Sequence, residues 1–209
     1  MIAHSRKRHN LRNGKMPHIN LVLCSLLRTF APAFMNQLTR LFVWLSRLHR
    51  CRGFGIQSPT DYWLVRYVLN EHWPYYQYAA LRNGDNWLRR KLGLLYFRLA
   101  NWRQPQTIVG SGYTDYWKAG CRKAMVAQDI PPVVELMFTD IGKADQLTAV
   151  LEGHTDEHSV IVVEALWRNH SAWHRLASHK RVSVAFDLYY CGILTFDPKR
   201  TKKHYVINF

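Results

Sequence analysis

The sequence lacks paired cysteines, and this absence excludes two common kinds of small-protein scaffold. Its four cysteines lie far apart and form no Cys-x-x-Cys pair. We therefore expect neither a zinc site nor a dense disulfide framework, and a reducing cytoplasm is the expected location. The histidines add no HExxH motif, because neither the pair His154/His158 nor the pair His170/His174 has a glutamate directly after its first histidine. We predict no metal site.

No hydrophobic run is long enough to cross a bilayer. Arg28 and Pro32 interrupt the apolar segment 19–35, which falls short of the roughly 20 uninterrupted residues that a membrane-spanning helix needs. Its order of regions resembles a signal peptide, but the basic start is too long and the later chain has no secreted character. We predict no transmembrane span. Residues 1–34 are expected to be a basic extension, either disordered or not translated, and Met16 and Met35 are in-frame alternatives for the start of translation.

Acidic residues are missing from the first sixty positions. The chain carries 29 Lys and Arg against 14 Asp and Glu, a formal net charge of +15, and Asp61 is the first acid. Such an excess favours a polyanionic partner, either nucleic acid or an anionic membrane surface. Because the charge from Asp61 onward is nearly balanced, the strong basicity belongs to the N-terminal quarter.

A basic amphipathic helix is predicted in this quarter. Arginines alternate with an aliphatic stripe at helical spacing, formed by Leu38, Leu41, Phe42, Leu45 and Leu48. The stripe is typical of a helix that packs on its own domain. The basic faces also fit a helix that binds nucleic acid or an anionic membrane, which is the minority alternative.

Residues 35–104 are predicted to form a helical region, called here the cap region. Ser58, Pro59 and Asp61 have the pattern of a capped helix start with a closed capping box. A second helix is expected from about Asp85 until Pro105 interrupts it. We expect these helices to cover the sheet, or the mouth of its ligand site.

Residues 105–209 have the alternating pattern of an α/β domain. Strands are predicted at 107–109, 133–138 and 159–163, with helices at 114–128 and 143–151 between them. Three further strands, at 182–188, 192–196 and 204–209, are joined too tightly for helical crossovers, so we expect antiparallel pairing among them. The prediction is a mostly parallel sheet with an antiparallel C-terminal edge.

Two features at the ends of predicted strands could serve a ligand. Gly110 and Gly112 make a turn between strand and helix, where free backbone N–H groups suit a ribose, a phosphate or a carboxylate. A lone Gly-x-Gly is as typical of an ordinary turn. Asp140 and Glu164 end two other strands, either as ligand-binding groups or as solvated strand-end acids. Motifs for nucleophilic hydrolysis (GxSxG) or for a nucleotide phosphate loop (GxxxxGK[ST]) are absent from the sequence.

Several segments carry a family resemblance. They are the Gly-Phe-Gly-Ile-Gln-Ser-Pro run at 53–59, the Tyr75-Tyr76 pair after the next helix, the run 186–193 and the tail 204–207. Together with the order of elements, they make residues 35–209 resemble class I S-adenosylmethionine-dependent methyltransferases, and a small bacterial branch of them in particular. The resemblance implies an α/β fold: a truncated Rossmann-like methyltransferase sheet preceded by N-terminal helices.

The resemblance also implies roles for individual residues. Gly110, Ser111 and Gly112 match the glycine motif that passes under the methionine part of the cofactor. Asp140 matches the acid that ends the fourth strand of the family sheet, so it is a candidate cofactor-binding residue. Glu164 matches an acid near the end of the fifth strand, and Asp140 and Glu164 are the candidate catalytic bases.

The chain departs from the family pattern around the cofactor. Ile108-Val109 stand where the family has an acid, and the span from Gly112 to Val133 leaves no room for the family's second and third strands, the second of which ends in the ribose-binding acid. Gln57 replaces a histidine, and 165–167 replace an acidic turn. The sequence thus predicts a methyltransferase-like protein with weakened or lost catalysis, a pseudoenzyme whose methyl acceptor is unknown. The alternative is a non-catalytic basic protein that uses the same scaffold to bind nucleic acid or an anionic membrane.

Overall fold

The computed structural model of the protein describes residues 37–50, 53–81 and 84–209. The predicted extension 1–34 lies outside the described residues. The chain divides after Val43, and the unit Trp44–Phe209 holds the fold that follows. Helix α1 covers residues 37–46, so the helix predicted there is confirmed. The five residues of the aliphatic stripe are exposed, Phe42 most of all at 72%, and the last of them, Leu48, lies beyond the end of α1.

The cap region contains three further helices. Helix α2, Pro59–Leu64, continues into a single π-helical stretch, Val65–Leu69, and α3 is the short helix Gln77–Ala80. Helix α4, Trp87–Arg103, is capped by Asn86, whose side chain accepts a hydrogen bond from the Arg89 N–H. The two main predicted helices are therefore confirmed, with the second starting two residues later than expected.

The start of α2 differs in one respect from the predicted capping box. The Ser58 hydroxyl caps the helix by accepting a hydrogen bond from the Asp61 N–H at 3.3 Å. The buried carboxylate of Asp61 instead pairs with Arg200 and accepts a hydrogen bond from the Tyr205 hydroxyl at 3.1 Å. Because a buried carboxylate needs a counter-charge, this side chain joins the cap region to the end of the chain rather than closing the capping box.

A seven-stranded sheet follows the cap region. Its strands, in the order of the chain, are β1 Thr107–Val109, β2 Met125–Ala127, β3 Leu136–Asp140, β4 Val160–Glu164, β5 Val184–Asp187, β6 Cys191–Thr195 and β7 Lys203–Val206. Their order in the sheet is β2-β1-β3-β4-β6-β5-β7, and β6 runs antiparallel to both of its neighbours while all other pairs are parallel. The α/β class and the mostly parallel sheet are confirmed.

Helices separate the parallel strands. They are α5 Thr114–Gly120, α6 Ala144–Gly153 and α7 His170–Ala177. The prediction that one helix fills 114–128 is wrong, because α5 stops at Gly120 and the chain returns as β2. Gly120 packs so closely on α4 that a Cβ atom there would collide with the Phe97 carbonyl oxygen. The chain therefore turns after Gly120, and the second strand expected to be missing is present as a three-residue strand.

The C-terminal edge also corrects a prediction. β5 and β6 pair antiparallel as expected, but β7 pairs parallel with β5. Both edges of β6 are already occupied, by β4 and β5, so β7 can pair only on the outer edge of β5. Residues 196–202 cross the amino-terminal end of β5 to reach that edge, because Thr195 at the end of β6 and Lys203 at the start of β7 are both in register with Val184.

The core lies on both faces of the sheet. Alternate residues of β4 point to opposite faces, as the period of a strand requires: Val160 and Val162 pack with the cap helix α4 and with α5, whereas Ile161 and Val163 pack with α6 and α7. Tyr96 of α4 and Trp117 of α5 are fully buried in the cluster on the α4 and α5 face. The sheet is thus fixed between helices, and its carboxyl edge is left to form a site.

Candidate functional site

A groove of about 700 Å³ lies at the carboxyl ends of β1, β3 and β4. The chain leaves β1 for β2 on one side and reaches β3 on the other, so the groove sits at the switch point where open α/β sheets bind ligands. All the residues that the sequence singled out line it, namely Gly110, Ser111, Gly112, Asp140 and Glu164. The fold brings them together from three strands.

The glycine turn has a geometry that only glycine fits well. Gly110 and Gly112 have φ angles of 142° and 97°, in the region that side-chain-bearing residues rarely adopt. A Cβ atom on Gly110 would lie 2.8 Å from the Phe138 carbonyl oxygen. The turn therefore presses its backbone against β3 and exposes main-chain groups, not side chains, to the groove.

The cap region fixes the other side of this turn. The guanidinium of Arg89 donates a hydrogen bond to the Gly112 carbonyl oxygen at 2.5 Å and lies over the ring of Tyr113, 4.7 Å from its centroid. Asp85 holds the same guanidinium at 3.0 Å and accepts a hydrogen bond from the Tyr116 hydroxyl at 2.7 Å. The turn is thus held in one conformation before any ligand arrives.

Asp140 is already engaged by its own protein. One oxygen accepts a hydrogen bond from the Gly142 N–H at 2.8 Å, and the other lies 3.3 Å from the Arg168 guanidinium. The carboxylate therefore caps the short helical turn that follows β3. With both oxygens in contact and a side chain that is 42% exposed, Asp140 is the weaker of the two candidate bases.

Glu164 is in a different environment. Burial raises the pKa of this carboxyl above its ordinary value, the Asp140 charge raises it further, and Tyr96 and Arg89 counteract both. The Tyr96 hydroxyl is buried and has no partner of hydrogen-bond geometry in the described part of the chain, although it is close enough to Glu164 to lower that pKa. A carboxyl whose pKa is raised toward neutrality is better suited to accept a proton.

Gln128 is a groove residue that the sequence reasoning missed. It follows β2 directly and lines the groove. Its side chain brings an amide, and no carboxylate, to the carboxyl end of β2. β2 is only three residues long and shows no clear alternation, so no periodicity indicated it. Tyr96 was missed for another reason, because nothing in a helical pattern reveals which strand end a tyrosine faces.

Aromatic side chains lie in two neighbouring turns, one at 165–167 after β4 and one at 188–190 between β5 and β6. The ring of Trp167 lies nearly parallel to that of Tyr189 at 6.3 Å and at a steep angle to that of Tyr190 at 6.0 Å. Ala165 and Tyr189, at the bases of these two turns, have positive φ angles of 59° and 70°. Non-glycine residues in this conformation are strained and are found often at functional sites. Ala165 directly follows Glu164, so one of these residues adjoins the carboxyl end of β4.

Residues 37–50, 53–81 and 84–209 include no group of three or more His, Cys, Asp or Glu side chains placed to hold a metal ion. No helix among them combines the length and the apolar character that crossing a membrane requires.

Comparisons with models of protein families, with curated proteins and with solved structures find no match for this chain. Similarity therefore assigns no family. The geometry of the groove and the chemistry of its lining carry the functional proposal.

Proposed function

We propose that this protein binds S-adenosylmethionine in the groove and is methyltransferase-like, with weakened catalysis. The observation that carries the proposal is the glycine turn at the switch point of the sheet, facing Gln128, Asp140 and Glu164 across one groove. The mostly parallel sheet, with one reversed strand toward its C-terminal edge, agrees with the fold that the sequence resemblance implies.

Each part of the cofactor has a counterpart in the groove. The backbone of Gly110, Ser111 and Gly112 would lie against the methionine part, where main-chain N–H groups suit a carboxylate. Gln128 would accept a hydrogen bond from the ribose. A neutral acceptor forms a weaker hydrogen bond than a carboxylate, by about 1 kcal/mol, so affinity would be lower by several-fold.

Catalysis would depend on alignment and on one base. Methyl transfer is an in-line displacement at the sulfonium, which needs donor and acceptor held in the right orientation more than it needs acid or base chemistry. Glu164 would be the base for an acceptor that must lose a proton, because Asp140 already caps a helical turn. Because Glu164 is half-buried and Asp140 already accepts a hydrogen bond from its own backbone, weak catalysis is expected rather than efficient catalysis.

Isothermal titration with S-adenosylmethionine and S-adenosylhomocysteine tests the proposal. Binding in the micromolar range is expected for the wild-type protein, and Gly110→Val should abolish it by filling the turn. Gly153→Val is the matched control, since Gly153 ends α6 with open space around it. Circular dichroism verifies that both variants fold, and Gln128→Ala, which removes no packing from a turn, provides a milder loss. Absence of detectable binding to the wild-type protein would sink the proposal.

A second candidate is a non-catalytic protein that binds nucleic acid or an anionic membrane through its basic N-terminal part. The net charge of +15 and the exposed aliphatic stripe of α1 favour it. It predicts affinity that falls steeply with salt. A chain that begins at Trp44 keeps Arg47, which pairs with Asp187 at 2.9 Å. If this shorter chain bound RNA oligonucleotides and anionic vesicles as tightly as the whole protein does, the second candidate would be rejected.

A further inference from the structure

A second cavity, of about 380 Å³, lies in the cap region beside α4. It shares no lining residue with the groove. Its walls are mostly apolar or aromatic, and the side chains that matter most are Trp73, Tyr78, Leu94 and Phe209. Three nitrogen donors, from Asn70, Lys91 and Arg98, also line it, and this combination of apolar walls with a few polar groups is typical of ligand sites.

Arg98 places a buried positive charge at this cavity. The side chain is 7% exposed, and it donates hydrogen bonds to the carbonyl oxygens of Val68 at 2.6 Å and Leu69 at 2.9 Å. A third contact reaches the Tyr78 hydroxyl at 3.4 Å. No acidic side chain in the described ranges forms an ion pair with it. Buried guanidinium groups are usually paired with an anion, so this one lacks its usual counter-charge.

Asn70 and Lys91 add two more donors without acceptors. The side-chain nitrogen of Asn70 is buried and has no hydrogen-bond partner among the described residues, in a residue that is 8% exposed. The Lys91 ammonium lies over the rings of Trp87 and Phe209, 5.0 and 4.6 Å from their centroids, and forms no ion pair with a described acid. Burial, opposed by Cys191 and aided by the charge of Arg98, lowers the pKa of Lys91 to about 8.

Acceptors are scarce in the same lining. Glu71 is the one acid among the lining residues, and its carboxylate accepts a hydrogen bond of 2.7 Å from the Tyr75 hydroxyl. A single carboxylate faces a guanidinium, an ammonium and an unpaired amide. An unmatched buried donor destabilises the fold, so a ligand that brings acceptor oxygens would relieve a cost that is already present.

We propose that this cavity binds a small organic carboxylate with a flat apolar body. The carboxylate would lie against Asn70, Lys91 and Arg98, and the apolar body against Tyr78 and Phe209. Planar oxyanions suit the guanidinium fork, and two aromatic walls suit a flat ring. The inference does not depend on the cofactor proposed for the groove, because the two sites share no residue.

Nuclear magnetic resonance on the wild-type protein tests the site directly. Benzoate, inorganic phosphate and benzyl alcohol are titrated in turn, and the side-chain signals of Asn70 Nδ2 and Arg98 Nε are followed. Saturable shifts with benzoate are expected, with weaker binding of phosphate, which lacks the ring, and none of benzyl alcohol, which lacks the charge. Equal binding of benzoate and benzyl alcohol would overturn the proposal, as would a failure of benzoate to move either signal.

Variants then test the residues. Lys91→Met and Asn70→Asp should each weaken benzoate binding by about tenfold, a change of about 1.4 kcal/mol, because one removes a cation and the other places a carboxylate against the ligand. Lys123→Met is the matched control, since it removes the same charge from an exposed site outside the cavity. Unchanged affinity in both cavity variants, with circular dichroism showing that they fold, would also overturn the proposal.

Discussion

The two halves of the sheet are built for different tasks. β4, β6, β5 and β7 form a half that the cap region holds from outside, through Asp61 with Arg200 and through Arg47 with Asp187. β6 is buried along its whole length. β1 and β2 are three residues long, and β2 is an edge strand that is only partly covered. The half held by the cap region, called here the supported half, gives rigidity. The half that contains β1 and β2 leaves its strand ends open around the groove.

The largest expected effect comes from the buried ion pair of the supported half. Asp61→Ala should lower the free energy of unfolding by about 3–5 kcal/mol, because it leaves Arg200 half-buried without its partner. Thermal and urea denaturation measure the change. Asp145→Ala, which breaks a pair whose Asp145 side chain is 97% exposed, should change stability little. A small effect of Asp61→Ala would mean that the cap region does not support this half.

The next effect concerns packing within β6. A Cβ atom at Gly192 would collide with the ring of Trp173, so Gly192→Ala should destabilise the fold by about 1–3 kcal/mol through overpacking. Gly153→Ala, at a helix end with open space, is the control. If Gly192→Ala were tolerated as well as Gly153→Ala, the supported half would be looser than its contacts indicate.

A smaller effect appears as a pH dependence where the halves meet. The pKa of Glu164 is raised in the folded protein above its ordinary value of 4.5, chiefly by burial, with Asp140 adding to the rise and Tyr96 and Arg89 opposing it. The folded state therefore holds this proton more tightly than the unfolded state does. The associated stability is fully present below about pH 4.5 and is lost as the pH rises through the raised pKa.

Glu164→Gln should remove this loss of stability, because glutamine does not ionise. Urea denaturation across a pH series compares the variant with the wild-type protein, and the difference should grow in favour of the variant as the pH rises. Glu157→Gln, at an exposed acid, should follow the wild-type profile. Parallel profiles for Glu164→Gln and the wild-type protein would contradict the burial of Glu164.

The sequence predicts the parts of the fold that have strong local signals. β1 is predicted with its observed bounds because Pro105 and Gly110 mark its ends. β4 is predicted one residue too early, from a run of four apolar residues that indicates a buried strand. β2 has neither signal. The pairing partner of β7 depends on which strand edges are already occupied, and that is a property of the assembled sheet rather than of residues 203–206.

The candidate site was predictable to a similar degree. Gly110 follows β1 directly, and Asp140 and Glu164 end β3 and β4, so strand prediction brings all three to one edge of the sheet. Their differing states were not predictable, because the helical turn that Asp140 caps and the burial of Glu164 both arise from tertiary contacts. Gln128 could not be placed in the groove without β2.

Titration of S-adenosylhomocysteine into the wild-type protein and into Gln128→Glu tests the central claim most directly. If the groove holds the cofactor with Gln128 at the ribose, the wild-type protein binds in the micromolar range, and the variant binds more tightly by up to about tenfold, since it restores a charged acceptor for the hydroxyl groups. Absence of binding to both proteins would contradict the account, and equal or weaker binding to the variant would contradict the place given to Gln128.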